Sequence, residues 1–338
     1  MRRTFVICLI SFFSIWPSVG LVPYDPPMKY RKYDVSKSVA ERPEALGSKE
    51  KTWIVPSPEL GLPAVPHLFK IGRPNTGENW SEKACCEILK RLRIPCAEYN
   101  FAVCLGNEGV ISERFLPGRG SFVPANMIFS ELDNEYDGSI RFKQARYKLV
   151  VALAIVQEAF LKPPLGAENI YPDLTAHDFF VGYLLFDALV GNTDRHHENW
   201  GVVISGQTDD QTDFHLAPTF DHASSLGREL TDEARAKRLT TPDPRATVEA
   251  YAERAHSAFY GVGQNPKPLT SRETVAALRQ AAPETTIFWA KKLETIESTV
   301  FEDIFARIGP NDISNEAVEF ALRVLAYNQS MIREVGLG

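Results

Sequence analysis

The sequence contains few cysteines and no cysteine pair at metal-ligand spacing. The count is odd, two of the residues are adjacent, and no C-x-x-C occurs. The five are Cys8, Cys85, Cys86, Cys96 and Cys104. A disulfide framework or a structural zinc site is therefore not expected, whereas reduced thiols within a protein core are. This cysteine usage favours a reducing compartment.

An excess of positive charge, internal repeats and low-complexity tracts are also lacking. The net charge of −6 argues against nucleic acid as the main partner, because that affinity depends on neutralising phosphates with Lys and Arg. With 44% hydrophobic and 24% charged residues the composition is that of an ordinary globular protein. A chain of 338 residues is long enough for two sub-domains, each with its own core.

The hydrophobic run at residues 5–16 is too short to span a bilayer as a helix, so stable membrane insertion is not expected. This run follows Arg2 and Arg3 and precedes the small residues 18–20. Residues 1–22 therefore have the pattern of a secretory signal, and export is one interpretation. The alternative is that residues 1–27 are a mis-assigned start and that translation begins at Met28.

The segment from Thr175 to Val190 predicts a buried helix. Thr175 and Asp178 have the spacing of a capping box, the residues that follow are apolar on nearly every face, and Gly191 is a natural stop. Residues 200–204 and 214–217 then predict two strands joined by a turn. An antiparallel hairpin brings its open ends together, so residues before the first strand and after the second should lie side by side.

Three polar residues are placed at that open end: Asp194, Asn199 and Asp221. An Asp followed by an Asn five residues later and by a further Asp is the set that phosphoryl transfer uses. The first Asp takes or orients the proton of a hydroxyl, and the other two side chains offer oxygen ligands to Mg²⁺. The spacing is also compatible with an ordinary polar turn, because Asp, Asn and Gly are turn formers.

The wider sequence around these residues resembles the HipA-like kinases, relatives of the phosphatidylinositol 3/4-kinase group. The resemblance rests on G-N-T-D-R-H-x-x-N at residues 191–199 and L-A-P-T-F-D at residues 216–221. Phe220 stands where the family usually has Tyr, and the H-R-D and D-F-G motifs of typical protein kinases are lacking. The resemblance implies that Asp194 is the catalytic base and that Asn199 and Asp221 hold Mg²⁺.

The resemblance to the HipA-like kinases also implies an ATP site in the amino-terminal part of the chain. Residues 47–52 resemble the family's phosphate-covering G-x-x-x-K-T loop, which places Gly47, Ser48 and Lys51 at the phosphates. The implied ATP-binding lysine is Lys70, and Glu82 is its carboxylate partner, with Glu87 as the alternative. Ser81 is a plausible cap for the helix that carries both acids.

Residues 112–115 resemble the family's E-R-F hinge, where backbone groups of Glu113 and Phe115 would bind the adenine edge. We therefore expect an α+β, two-lobed protein-kinase-like fold, with an ATP-binding lobe of small antiparallel sheet at 28–118 and a mainly helical catalytic lobe at 119–338. ATP chemistry implies a cytoplasmic protein. HipA toxins carry a further amino-terminal domain for which this chain has no room, so an antitoxin-like partner is doubtful.

Elsewhere, periodicity predicts helices at 141–161, 247–259, 271–281, 287–308 and 314–335. The polar, charge-dense composition of residues 228–245 predicts a mobile loop.

Within the kinase interpretation, the expected acceptor is a Ser or Thr of a protein, and a lipid or small molecule is the alternative.

Two functions of a different class remain open. A metal-dependent hydrolase would use a cluster of acids and histidines: Asp194, His196, His197, His215, Asp221 and His222. A non-catalytic nucleotide-binding protein would hold ATP without transferring phosphate. The hydrolase leaves the lysine and hinge patterns unexplained, and no H-E-x-x-H pair is present.

Overall fold

The computed structural model describes residues 28–43, 51–159, 161–208, 211–264 and 266–338. The signal-like segment and two predicted phosphate-loop residues, Gly47 and Ser48, lie outside these ranges. Within them, no helix combines the length and the apolar character needed to cross a bilayer.

A six-stranded sheet forms the first part of the molecule. Its strands are β1 (Lys32–Asp34), β2 (Val39–Pro43), β3 (Lys51–Val55), β4 (His67–Ile71), β5 (Tyr99–Cys104) and β6 (Asn107–Glu113). They are arranged in the order β1-β5-β6-β4-β3-β2, and every neighbouring pair is antiparallel except β1 and β5. Helix α1 (Glu78–Leu92) packs on β5 and β6, so this part is a small antiparallel-dominated sheet covered by one helix.

The rest of the described chain is mainly helical. Its helices are α2 (Ala125–Leu132), α3 (Leu149–Glu158), α4 (Ala176–Val190), α5 (Asp232–Thr240), α6 (Val248–Glu253), α7 (Ser271–Ala281), α8 (Pro283–Glu294), α9 (Ser298–Ala306) and α10 (Asn315–Leu337). Its strands are β7 (Ser121–Pro124), β8 (Gly201–Thr208), β9 (Gln211–Leu216), β10 (His256–Tyr260) and β11 (Pro268–Thr270). Together with the sheet described above, this arrangement confirms the predicted α+β class.

Helix α4 is the buried centre of the helical part, as its apolar sequence predicts. Its capping box is formed in both directions between Thr175 and Asp178, and Gly191 ends it with a left-handed backbone at φ 64°. Helices α3, α7, α8 and α10 pack around it. A helix enclosed by others cannot shift, so the loop that follows Gly191 starts from a fixed point.

Gly182, in the middle of α4, is required by close packing. A Cβ at this position would lie 2.7 Å from Cε2 of Trp289, a fully buried residue whose indole nitrogen donates to the Asp178 carbonyl at 2.8 Å. We expect Gly182→Ala to lower the free energy of unfolding by about 1–3 kcal/mol through overpacking. Denaturant unfolding measures this change. The sign of the change in the free energy of unfolding decides the matter, because Gly→Ala in an uncrowded helix stabilises by about 0.5–1 kcal/mol.

Several predicted elements have different bounds in the structure. Helix α3 begins only at Leu149, because Lys148 is extended and pairs with Tyr260 of β10, whose N–H donates to the Tyr147 carbonyl at 2.9 Å. The prediction of one helix over 141–161 is therefore wrong in its first half. For the same reason the predicted helix 247–259 is divided into α6 and β10.

Other corrections have local causes. Residues 228–245 contain α5, which Thr231 caps and whose Arg235 is buried, so the predicted loop is largely a packed helix. The predicted helix 287–308 is two helices, α8 and α9. Ser81 does not cap α1, which begins at Glu78; its hydroxyl instead donates to the Ser225 carbonyl at 3.1 Å.

Candidate functional site

The loop from Gly191 to Asn199 is held by side chains at its start. The Asn192 side-chain amide donates to Asp187 Oδ1 at 2.8 Å, and its own Oδ1 accepts from the Asp194 N–H at 3.0 Å. At the far end, Nδ2 of Asn199 donates to the Asp194 carbonyl at 2.8 Å. The backbone of Asp194 is thus fixed from both sides, and its carboxylate lines a cleft.

A buried arginine connects this loop to the segment that contains Asp221. Arg195, 1% exposed, forms a two-pronged ion pair with Asp187, with Nε to Oδ2 at 2.7 Å and an NH2 to Oδ1 at 2.8 Å. The same guanidinium donates to the Asn199 carbonyl at 2.7 Å and to the Phe220 carbonyl at 3.2 Å. Burial opposes its charge, but Asp187 raises the pKa of Arg195 above its usual value.

No sequence pattern singled out Asp187 and Arg195 as part of the site. The available signal was a charged residue within the otherwise apolar helix α4, because a buried carboxylate requires a partner. Their position makes them structural supports for the site rather than groups that line it.

The hairpin of β8 and β9 brings Asn199 and Asp221 to the same end. Val202 is opposite Leu216 in the register, and the Ala217 N–H donates to the Gly201 carbonyl at 3.0 Å. The strands are longer than predicted, and β7 adds a third strand that the sequence did not indicate. Asp221 has φ 58°, a left-handed conformation that sets the direction of its side chain, and its N–H donates to the Tyr99 hydroxyl at 3.3 Å.

The six-stranded sheet contributes two lysines that approach the Asp221 carboxylate. Lys70 donates to Asp221 Oδ1 at 2.8 Å and to Glu82 Oε1 at 3.1 Å, and Lys51 Nζ lies 3.8 Å from Asp221 Oδ2. Burial disfavours the charge on Lys70, but the carboxylates of Asp221 and Glu82 hold its pKa well above its usual value. Glu87 instead pairs with Lys83 at 2.7 Å, so of the two acids considered, Glu82 contacts Lys70.

These residues line one cleft of about 460 Å³ between the sheet and the helical part. The predicted site residues in its lining are Lys51, Lys70, Glu113, Phe115, Asp194, Asn199 and Asp221. Glu82 lies behind Lys70 and does not line the cleft.

One end of the cleft is aromatic. Phe115 and Phe220 are stacked with ring centroids 5.7 Å apart, and Phe122 meets both rings edge-on at 6.0 and 5.6 Å. Glu113 is opposite His67 in the sheet register, and the Arg114 N–H donates to the Pro66 carbonyl at 3.0 Å. This end offers a flat apolar surface beside a strand end, and Phe122 was not singled out from the sequence.

The histidines of the rival hydrolase interpretation do not converge. His197 bonds the Tyr136 hydroxyl, His215 contacts the Pro163 carbonyl at 2.8 Å, and His222 contacts Arg195 at 2.9 Å. Burial lowers the pKa of His196 to about 4 despite the attraction of Asp221, so this ring is neutral near pH 7. In the described ranges, no three His, Cys, Asp or Glu side chains are grouped as a metal centre would need.

Comparison with known proteins identifies the fold. No protein-family model matches the chain, and no curated protein is significantly similar to it in sequence. Among solved structures, the proinflammatory kinase CtkA of Helicobacter pylori superposes with a TM-score of 0.70 at 17% identity, over 90% of this chain and 97% of that one.

HipA of Shewanella oneidensis MR-1, from a toxin–antitoxin complex with HipB and operator DNA, has a TM-score of 0.51 at 10% identity. That match covers 87% of this chain and 65% of the HipA chain. The chain therefore has the protein-kinase-like fold of the HipA type, as the motifs predicted.

Proposed function

We propose that this protein is an ATP- and Mg²⁺-dependent kinase that transfers the γ-phosphate to a Ser or Thr hydroxyl of a protein. The observation that carries the proposal is the convergence of Lys70, Asp194, Asn199 and Asp221 on one cleft. They come from β4, the loop after α4 and the segments flanking the β8–β9 hairpin, and they meet although Lys70 is 151 residues from Asp221 in the sequence. The protein-kinase-like fold supports the same conclusion.

The donor set in the cleft fits a hard divalent cation. Asn199 and Asp221 supply amide and carboxylate oxygens, the ligands that Mg²⁺ prefers. Because Nδ2 of Asn199 is committed to the Asp194 carbonyl, Oδ1 is the atom left to meet a cation. When bound, Mg²⁺ would neutralise negative charge on the ATP phosphates.

The two lysines supply fixed positive charge on the sheet side. Lys70 is held between Glu82 and Asp221, and an ammonium ordered in this way is ready to bind a phosphate oxygen without reorganising. Lys51 is opposite Lys70 in the strand register, so both point into the same region. The aromatic end, with Phe115 and Phe220, fits the adenine ring.

Asp194 is the group proposed to act on the acceptor. Its carboxylate faces the cleft from a loop whose backbone is bonded on both sides, so it can orient a hydroxyl and take up its proton. Transfer of phosphate from ATP to that hydroxyl then depends mainly on positioning. Because ATP is the proposed co-substrate, the location we propose is the cytoplasm, and residues 28–118 and 119–338 are the proposed ATP-binding and catalytic lobes.

The proposal is tested by transfer of label from γ-labelled ATP to proteins of a host lysate, followed by phosphoamino acid analysis. We expect Mg²⁺-dependent labelling of Ser or Thr, and Lys70→Met should lower the rate by about 10²–10³-fold because a preorganised charge is lost. Lys162→Met, which removes an exposed lysine outside the cleft, is the matched control. Labelling confined to lipid or small molecules would support the alternative acceptors instead.

A second prediction concerns the metal ligands. Asn199→Ala and Asp221→Ala should each weaken Mg²⁺·ATP binding by about 10–100-fold, with much smaller effects on stability, because each removes a hard oxygen donor. Calorimetric titration with and without Mg²⁺ measures this. The exposed Asn169 and the partly exposed Asp213, neither of which lines the cleft, provide control alanine variants that should bind normally. Equal affinity of the wild type for ATP with and without Mg²⁺ would contradict the assignment.

A further inference from the structure

We infer that Arg228 binds an acidic side chain next to the acceptor hydroxyl, so that the preferred acceptor is a Ser or Thr in an acidic stretch of polypeptide. This inference rests on the proposed kinase function and specifies its substrate class. It starts from a cation in the cleft wall that neither the nucleotide nor the metal assignment uses.

Arg228 lies close to the proposed catalytic carboxylate. Its guanidinium donates to the Ser224 hydroxyl at 3.2 Å, and that hydroxyl in turn donates to Asp194 Oδ2 at 3.5 Å. The arginine is therefore two hydrogen bonds away from the group that would receive the acceptor proton. A residue adjacent to the acceptor Ser or Thr would pass within reach of it.

The guanidinium of Arg228 is held in place by contacts within the protein. An NH1 of Arg228 lies 3.1 Å from Glu78 Oε1, and its carbonyl accepts from the Gly77 N–H at 2.8 Å. Glu78 is only 2% exposed, whereas the Arg228 side chain is 17% exposed and lines the cleft. An arginine fixed in this way loses little conformational entropy when it binds a partner.

The position of the charge separates this arginine from the ATP-directed cations. Lys51 and Lys70 are both gathered at Asp221, where phosphates and metal are proposed to bind. Arg228 instead contacts Asp194 through Ser224, and Arg73 reaches the same Glu78 oxygen as Arg228, at 2.9 Å. Two guanidiniums of the cleft lining thus converge on Glu78, whereas the two lysines converge on Asp221.

The chemistry of the guanidinium indicates the ligand. Its planar set of N–H donors matches the two oxygens of a carboxylate, and a charged hydrogen bond of this kind favours an acidic residue over its amide counterpart. Because the acceptor is proposed to be a protein, the matching group is an Asp or Glu side chain near the acceptor residue.

The test uses two fluorescent Ser peptides, one with Glu on both sides of the Ser and one with Gln, and a third peptide with Lys on both sides is added for Arg228→Glu. Equilibrium binding and kcat/KM for transfer are measured for the wild type, Arg228→Gln and Arg228→Glu. Arg272→Gln, which changes an exposed arginine on α7, is the control. We expect the wild type and the control to favour the Glu peptide by about tenfold, equivalent to 1.4 kcal/mol.

In Arg228→Gln this preference should disappear through a higher KM for the Glu peptide, with the KM for ATP unchanged. Arg228→Glu should favour a Lys-flanked peptide instead, which a misfolded variant would not do. Equal binding of both peptides by the wild type would overturn the inference. A raised KM for ATP with the peptide preference intact would also overturn it, because the arginine would then serve the nucleotide.

The outcome also separates this inference from the kinase proposal. Transfer without a preference for the Glu peptide would overturn the inference but would not contradict the kinase proposal. Preferential binding of the Glu peptide without any transfer would support the inference and contradict the kinase proposal. Vesicles containing an anionic inositol phospholipid form a further arm, and stronger competition by them than by the Glu peptide would replace the acidic polypeptide with a lipid headgroup and overturn the inference.

Discussion

Substituting Asp194 with Asn is expected to lower phosphoryl transfer by about 10²–10⁴-fold while nucleotide binding is retained. An Asn side chain has the same size but cannot take up the proton of an acceptor hydroxyl. The contacts that hold the loop use the backbone of Asp194, through Asn192 and Asn199, so they survive the change. The effect should therefore appear in kcat.

The measurement is the rate of label transfer under saturating ATP, together with an independent determination of ATP affinity. Asp213→Asn, at a partly exposed position of β9 outside the cleft, is the matched control and should transfer at the wild-type rate. Loss of ATP affinity in Asp194→Asn in parallel with activity would mean that this carboxylate belongs to nucleotide binding. An unchanged rate would show that Asp194 takes no part in phosphoryl transfer, which is the result expected of a non-catalytic nucleotide-binding protein.

Breaking the buried ion pair is expected to have the largest effect on stability. Arg195→Leu should lower the free energy of unfolding by about 3–5 kcal/mol, because it leaves the Asp187 carboxylate buried without its main partner. The same change deprives the Asn199 and Phe220 carbonyls of a donor. Because the guanidinium connects both halves of the site, we also expect weaker Mg²⁺·ATP binding at temperatures where the variant is still folded.

Denaturant unfolding measures the loss of stability. Arg272→Leu removes an arginine of an exposed ion pair with Glu334 and should cost only about 0–1 kcal/mol. In the double variant Asp187→Leu with Arg195→Leu, both charges are gone, so the total loss should be smaller than the sum of the two single losses. Additive losses would show that the two residues do not act as a pair.

Local sequence signals predicted the elements that present the site. Helix α4 was recognisable because its capping box, apolar composition and terminal Gly191 all act within a few residues of one another. The β8–β9 hairpin followed from two apolar runs around a turn. The proximity of Asn199 and Asp221 is then a property of antiparallel strands, which explains why both were placed at the same end from spacing alone.

The secondary-structure predictions that were wrong concern segments whose conformation is set by contacts with distant parts of the chain. Residues 141–148 have helical periodicity, but pairing of Lys148 with Tyr260, more than a hundred residues later, keeps that segment out of α3. Arg235 looked like part of a solvated loop, yet it is buried and donates to the Gly227 carbonyl at 3.0 Å. Tertiary contacts outweigh local preference in such segments, because the free energy of packing exceeds the small differences in propensity.

The sequence by itself determined the central helix and the pattern of residues from Asp194 to Asp221, because these depend on short-range periodicity, capping and spacing, and the α+β class followed from the family resemblance that this pattern carries. Only the tertiary structure decided which distant groups meet. It brings Lys70 of β4 to 2.8 Å from Asp221, chooses Glu82 over Glu87 as its partner, and places Arg195 beneath the site. Contacts across 12 to 151 residues arise from the burial of whole elements against one another, and no local pattern encodes that packing.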